Sequence, residues 1–448
     1  MRRRLVALLL AAQTTAAAGA QTRPAAPAGQ APTGTTGAVP PAPRLVGAPA
    51  RRQVDGRIFP PRLRVGTGWS IEPVVKVQGD LSRFDPVVDA GNEDFLWRRR
   101  RFGVKGELFG HVDFEVEREF GDETDPWRDV YIDLKAADWL AVKAGHFRVP
   151  FSLDGLTGST SHDFVNRSLG GNTIAPGRDI GVMLHGRARG RIVTFAVGMF
   201  DSNDAVDTTR ASVDDDKGAT NPGRTAAGRV TVQPFDAVDR LPRGLRNLEF
   251  GVNATWSSVP EGLNGLVGRS VYRHRFFAPV YLNGDRVRTG VDVALLAGPV
   301  SLKAEWMRVS DERQGQGLGN VDLPDAVARA WYVAGTWLLT GEAKDGTIAP
   351  RRPFLRGGVG AIEVALRAER LALGSASAAG EPAFANPRAA NLLANGDDVI
   401  TIGLTWYLNR WFKLQGNAIH ESFGDVARAP IAGRRTYWSY VGRVQFAL

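Results

Sequence analysis

Cysteine is absent from all 448 residues, so the chain has neither a disulfide framework nor a thiolate metal site. Lysine is scarce: 8 stand against 48 arginines, which puts the cationic excess on planar, permanently charged guanidinium groups suited to phosphate and carboxylate. Beyond the first residues there is no apolar run near the ~20 residues that a membrane-crossing helix requires. A chain of this kind can cross a bilayer only as a closed barrel, which pairs every backbone group internally.

What is present starts with Arg2, Arg3 and Arg4, an apolar run from Leu5 to Ala12, and the small residues Ala18-Gly19-Ala20. This pattern predicts a secretory signal peptide over residues 1–20, with Gln21 opening the mature chain. Its removal takes three arginines and lowers the net charge from +9 to +6, an excess that does not imply nucleic acid. Residues 21–60, rich in Pro, Ala, Gly and Thr, are expected to form a disordered linker. The remainder, 61–448, shows no internal linker and is expected to be one domain.

Its dominant pattern is period-two alternation. Leu248, Phe250, Val252, Ala254 and Trp256 oppose Asn247, Glu249, Gly251, Asn253 and Thr255; Val112, Phe114 and Val116 oppose Asp113, Glu115 and Glu117. The last residues repeat it, with Trp438, Tyr440, Val444 and Phe446 on one face and Ser439, Arg443 and Gln445 on the other. Several runs are joined by short connections (135–139, 297–299, 408–411) and others by long polar stretches (201–224, 311–325, 374–398). Strands of about ten residues, such as 285–296, 301–310 and 399–408, match the length of a tilted strand crossing the hydrocarbon layer. Trp127, Trp139, Trp406, Trp411 and Trp438 sit near strand ends, as interfacial girdles do. The expectation is an all-β, transmembrane antiparallel β-barrel of about sixteen strands, with eighteen as the alternative, and with a water-filled interior.

If the apolar phase faces lipid, the other phase lines a pore. Arg99, Arg101 and Lys105 then point inward, while Arg98 and Arg100 fall on the lipid phase, where a midplane arginine costs about 2–4 kcal/mol. The same phasing turns Arg229, Arg288, Lys303, Arg367, Lys413 and Arg443 inward, beside Asp113, Glu115, Glu117, Asp292, Glu305 and Glu363. The stretch GHFRVPFSLDGLTGSTSHDFVNRSL, from Gly145 to Leu169, interrupts the alternation. Folded into the lumen it would narrow the channel and bring Arg148, His162, Arg167 and Arg178 to a passing solute; the other reading is an external loop.

Other chemistries are poorly supported. Ser161, His162 and Asp163 are sequence neighbours, whereas a triad is a matter of mutual geometry. The six histidines lack the spacing of a zinc motif. Asp201-Ser202-Asn203-Asp204 opens like a calcium loop, but Val206 and Ser212 stand where glycine and glutamate are needed. No enzyme activity, metal or cofactor is expected. An adhesive role for the 21–60 segment would be a third class of function.

The blocks AGHFRVPFSLDGLTGSTSHDFVNRSL, PGRDIGVMLHG, WRRRRFGVKGELFGHVDFEVEREF, DVYIDLKAADWLAVKAG, GAIEVALRAERL and ITIGLTWYLNRWFKLQGN resemble the phosphate-selective porin O and P family of Gram-negative outer membranes. They occur in the family's order and cover most of 98–448. The resemblance implies an outer-membrane homotrimer of sixteen-stranded barrels, each with a constricting loop and with cations leading small inorganic anions, phosphate or polyphosphate, by passive diffusion. Matching positions are Arg99, Arg101, Arg148, Arg167 and Arg178. Lys105, Arg229, Lys303 and Arg443 join them from the phasing. A general porin of the same fold is the alternative.

Overall fold

A computed structural model describes residues 53–54, 57–58 and 62–448, apart from 67, 86–94, 122–125, 189–191, 203–222, 239, 272–273, 345 and 378–391. The expected signal peptide, most of the expected linker and the greater part of the calcium-like stretch lie outside these residues.

Sixteen antiparallel staves close into a barrel. In chain order they are β1 (Trp69–Asp85), β2 (Phe95–Leu108), β3 (Val112–Glu119), β4 (Trp127–Ala137), β5 (Leu140–Arg148), β6 (Arg178–Ala188), β7 (Val193–Ser202) and β8 (Gly223–Val232). They continue as β9 (Glu249–Gly262), β10 (Leu282–Ala297), β11 (Val300–Arg313), β12 (Leu323–Leu338), β13 (Ala361–Ser375), β14 (Asn395–Tyr407), β15 (Phe412–Phe423) and β16 (Thr436–Ala447). The circle closes where β16 pairs with β1, from Trp438 opposite Asp85 to Ala447 opposite Lys76. The short strand Leu63–Val65 pairs only with the start of β1.

The alternation read from the sequence maps onto the two faces of this wall. On β9 Phe250, Val252 and Trp256 are exposed outward, while Glu249, Asn253, Thr255 and Ser257 are buried inside. On β16 Trp438, Tyr440 and Val444 point out, and Ser439, Arg443 and Gln445 point in. Trp127, Trp139 and Trp438 are exposed as a girdle requires. The staves are longer than expected: β10, β11 and β14 have 16, 14 and 13 residues. The extra residues of β11 and β14, 311–313 and 395–398, come from polar stretches expected as connections, where the hydrophobic alternation no longer marks a strand.

One phase assignment needs correction. Gln78 lies opposite Arg99 but Gly79 lies opposite Trp97, so Arg98 is the extra residue of a β-bulge. The bulge turns Arg98 inward, where it is buried, and leaves only Arg100 on the outer face. Strict alternation placed both in lipid because a bulge shifts the phase by one residue.

The short connections 109–111, 138–139, 298–299 and 408–411 all lie at one end, and the long ones at the other. The short-turn end nevertheless carries two longer segments, 233–248 and 339–360. In the second, Ile348 is buried against Leu338 and Ala361. The main apolar core lies between the inner wall and two inserted segments. Phe151, Leu169 and Ile174 of residues 149–177, with Phe276 and Val280 of the β9–β10 connection, pack on Met307, Leu371 and Phe423 of the staves.

Candidate functional site

The segment 149–177 is built from two helical turns, α1 (Leu153–Leu156) and α2 (Leu169–Thr173). Ser152 and Ser168 are their N-caps, each hydroxyl accepting from the backbone N–H three residues on, at 2.9 and 3.0 Å. Ser152 holds a φ of 70°, a left-handed conformation strained for a residue with a side chain. Asp154 ties the turns together, its Oδ2 accepting from both the backbone N–H and the hydroxyl of Ser168 at 2.8 Å.

The segment is bonded to inward groups around much of the wall. Glu305 of β11 accepts from the N–H groups of Leu153 and Asp154 at 3.0 and 3.2 Å, and Glu369 of β13 accepts from that of Leu169 at 2.6 Å. Asn417 of β15 accepts from Val165 N–H at 2.8 Å, and Lys413 donates to the carbonyl of His162 at 3.1 Å. Gln78 of β1 donates to the carbonyl of Ser159 at 3.2 Å. At the tip, the carboxylate of Asp163 lies 2.7 Å from Lys303 Nζ and 2.7 Å from Lys344 Nζ. Burial opposes ionisation of Asp163, but the two ammonium groups outweigh it and hold its carboxyl well below the usual range. Asp163 is thus engaged by lysines, and His162 Nδ1 lies 3.6 Å from Asp154 instead.

These contacts give the inward arginines structural partners. Arg167 is buried and donates to the carbonyls of Asp154, Gly155 and Thr157, closing the end of α1; Arg148 donates to Gly155 O at 2.5 Å. Arg178 is bidentate to Asp129 at 3.1 and 2.7 Å, and Arg229 to Asp292 at 2.6 and 2.7 Å. Arg443 grips Asp80 at 2.6 and 2.7 Å and donates to Val165 O at 2.7 Å. Arg101 meets Glu119 at 2.8 Å, and Arg99 donates to Gln78. Bidentate guanidinium–carboxylate pairs fix geometry as well as charge. Lys105 differs from the other eight: half-buried, it makes no side-chain hydrogen bond or ion pair among the described residues.

Sequence reasoning overlooked the neighbours of Lys105. Every lysine among the described residues sits on the inner side. Lys76 on β1 bonds Glu117, and Lys135 on β4 lies 3.1 Å from Glu107 and 3.2 Å from Asp113. Lys143 on β5 lies 3.3 Å from Asp133 and 4.0 Å above the Tyr131 ring. Lys344 bonds Thr336 at 2.6 Å as well as Glu363 and Asp163. The signal was available, because each stave lysine occupies the polar phase of its strand. Five inward groups on β1–β4, Lys76, Lys105, Glu107, Asp113 and Lys135, keep part of their surface in water, whereas Gln78, Arg99, Arg101 and Glu117 of the same wall are buried. Of the groups facing the 149–177 segment, Arg367, Lys413 and Arg443 are buried and Lys303 is half-buried.

The family model described as phosphate-selective porin O and P matches residues 74–446. A comparison with curated protein sequences finds no match. Among solved structures, the anion-selective porin from Comamonas acidovorans is 13% identical, with a TM-score of 0.50, covering 85% of this chain and 100% of its own. Salmonella typhi OmpF in complex with daunomycin is 11% identical, with a TM-score of 0.52 over 86% of this chain and 100% of that one. In-vitro folded OmpT of Vibrio cholerae is 10% identical, with a TM-score of 0.50 over 85% and 98%. At these identities the likeness shows the shared barrel fold.

Proposed function

The chain belongs to the phosphate-selective porin O and P family, an outer-membrane barrel, and from that premise we propose that it forms a passive channel for small inorganic anions, phosphate among them. The segment 149–177 narrows the lumen by lying against β9–β16 and Gln78 of β1, and solutes pass along the opposite wall, where Lys76, Lys105 and Lys135 keep part of their surface in water. The observation that carries this reading is the inward placement of every described lysine, with the Lys105 ammonium held by no hydrogen bond or ion pair. An oxyanion exchanges part of its hydration for charge-assisted contacts at Lys105 and its neighbours. Several moderate sites in series admit an ion and release it again. No turnover or cofactor enters the mechanism. Three copies in closed cyclic symmetry complete the reading, and the mass of the detergent-solubilised particle checks that count.

A second reading, a general porin, is favoured by the carboxylates on the same wall: Glu107, Asp113 and Glu115 face the lysines. Reversal potentials of single channels in a chloride gradient, followed by added phosphate, separate the two. Anion preference with chloride current blocked by phosphate, both weakened in Lys105→Gln, supports the anion channel. Conductance without ion preference or phosphate block assigns the general porin.

A further inference from the structure

Charge on the outer face is distributed by height. Among the described residues of the sixteen staves no lysine points outward, and the outward arginines, Arg83, Arg100, Arg118, Arg329 and Arg370 among them, lie in the half of each strand nearer the long loops. In an outer-membrane barrel that is the extracellular half. On β10–β14 the register shows the layering directly. The outward row Leu295, Leu302, Gly335, Leu366, Ile402 carries no polar side chain. Higher up, Trp306 lies opposite Trp331, which lies opposite Arg370, which lies opposite Asp398. One same-face step above, Arg308 lies directly opposite Arg329.

The arginines of these two rows differ in their partners. Arg370 NH1 bonds both oxygens of Asp398, at 2.9 and 2.8 Å. Arg308 and Arg329 make no hydrogen bond or ion pair among the described residues, and the Nε of Arg308 is buried without an acceptor. Outward carboxylates stand above them and are otherwise engaged: Asp325 accepts from Ser310 at 2.9 Å, and Glu312 accepts from the N–H of Asp285 at 3.1 Å and from Gln314 at 2.6 Å. Like charges directly opposite each other on neighbouring strands are destabilising, and here they sit at the edge of an apolar band where hydration is reduced. Two planar donor forks on directly opposed residues at that height match the oxygens of one tetrahedral anion. The apolar rows beneath provide a bed for acyl chains, and Trp306 and Trp331 supply the amphipathic boundary between the two.

We propose that Arg308 and Arg329 bind the headgroup phosphate of a phosphorylated glycolipid in the outer leaflet, with its acyl chains on the outward face of β10–β14. Charge complementarity together with the underlying apolar rows selects this occupant over free phosphate, which has no use for the rows, and over a second copy of the chain, which would have to bring an anion to the same spot.

The test titrates purified barrel in neutral detergent with bis-phosphorylated lipid A, with dephosphorylated lipid A and with inorganic phosphate, reading bound glycolipid by native mass spectrometry. The phosphorylated form is expected to be retained, and Arg308→Gln/Arg329→Gln to weaken retention by about tenfold or more. Arg224→Gln, whose guanidinium is 78% exposed beside Asp201, should retain it as the parent does. Heat-modifiable migration verifies that each variant has formed its barrel, and the two single variants serve if the double one does not assemble. Equal retention by the double variant, equal retention of the dephosphorylated form, or displacement by equimolar inorganic phosphate would each overturn the proposal. So would a change in chains per particle with glycolipid binding intact, which would make this face a subunit contact.

Discussion

Lys344 Nζ and Asp163 Oδ1 are 2.7 Å apart, although the lysine belongs to a segment at the short-turn end and the aspartate to one that enters from the opposite end. The same ammonium bonds Glu363 and Thr336, so one side chain joins the wall, the periplasmic connection and the tip of the 149–177 segment.

Replacing Lys344 with methionine leaves Asp163 and Glu363 short of a cation in a buried setting, at a cost of about 3–5 kcal/mol. That cost falls on the attachment of the segment rather than on strand pairing. The expected result is a barrel with unchanged heat-modifiable migration and increased open-channel current noise. A quiet channel of parental conductance would contradict the pinning role.

The pH dependence of this attachment follows from Asp163, whose carboxyl is held well below the usual carboxylate range by Lys303 and Lys344 against the effect of burial. A depressed folded value means the unfolded state binds protons first. The stabilisation is therefore complete above the ordinary value of 3.8 and lost only as pH falls through the lower folded value. Open-channel noise should stay level from pH 7 to pH 4 and rise below it. Onset between pH 7 and pH 5 would contradict the assignment.

Alternation turns Arg443 toward the pore, and its fork is committed there to Asp80 across the closing seam and to Val165 O. Arg443→Gln should lower thermal stability, by about 3–5 kcal/mol, by stranding a buried carboxylate. Asp80→Asn in the same chain should recover part of the loss, as read by the unfolding midpoint. Equal midpoints for parent and single variant would mean that the pair contributes nothing.

Gly145 has a φ of +133°, and a Cβ there would fall 2.2 Å from the carbonyl oxygen of Val130. Gly145→Ala should lower the unfolding midpoint and slow barrel assembly. Gly416→Ala, where nothing lies within 4 Å, should leave both unchanged. The comparison of the two midpoints is the check.

Period two exposed the wall because it reports a property of single strands: Phe250 out and Glu249 in need no knowledge of neighbours. The bulge at Arg98 escaped because it is a relation between two strands, visible only when Gly79 and Trp97 are paired. The site was partly legible for the same reason. Alternation places Arg229 and Arg443 inside, but their carboxylate partners come from β10 and β1, far along the chain. The four arginines 98–101 are contiguous in the sequence, whereas Lys76, Lys135 and Lys143, single residues on separate strands, gather only when the barrel closes. Scarcity of lysine was therefore a poor guide to its weight in the lumen.

That gathering turns the barrel into its own sieve gauge. Apart from Lys217, which lies outside the described residues, each lysine amine of the barrel can be reached only through the lumen. A series of amine-reactive reagents of graded bulk would therefore label Lys76, Lys105 and Lys135 up to a threshold size and no further. Peptide mapping of the adducts would then measure the width of the passage chemically, without any current being recorded.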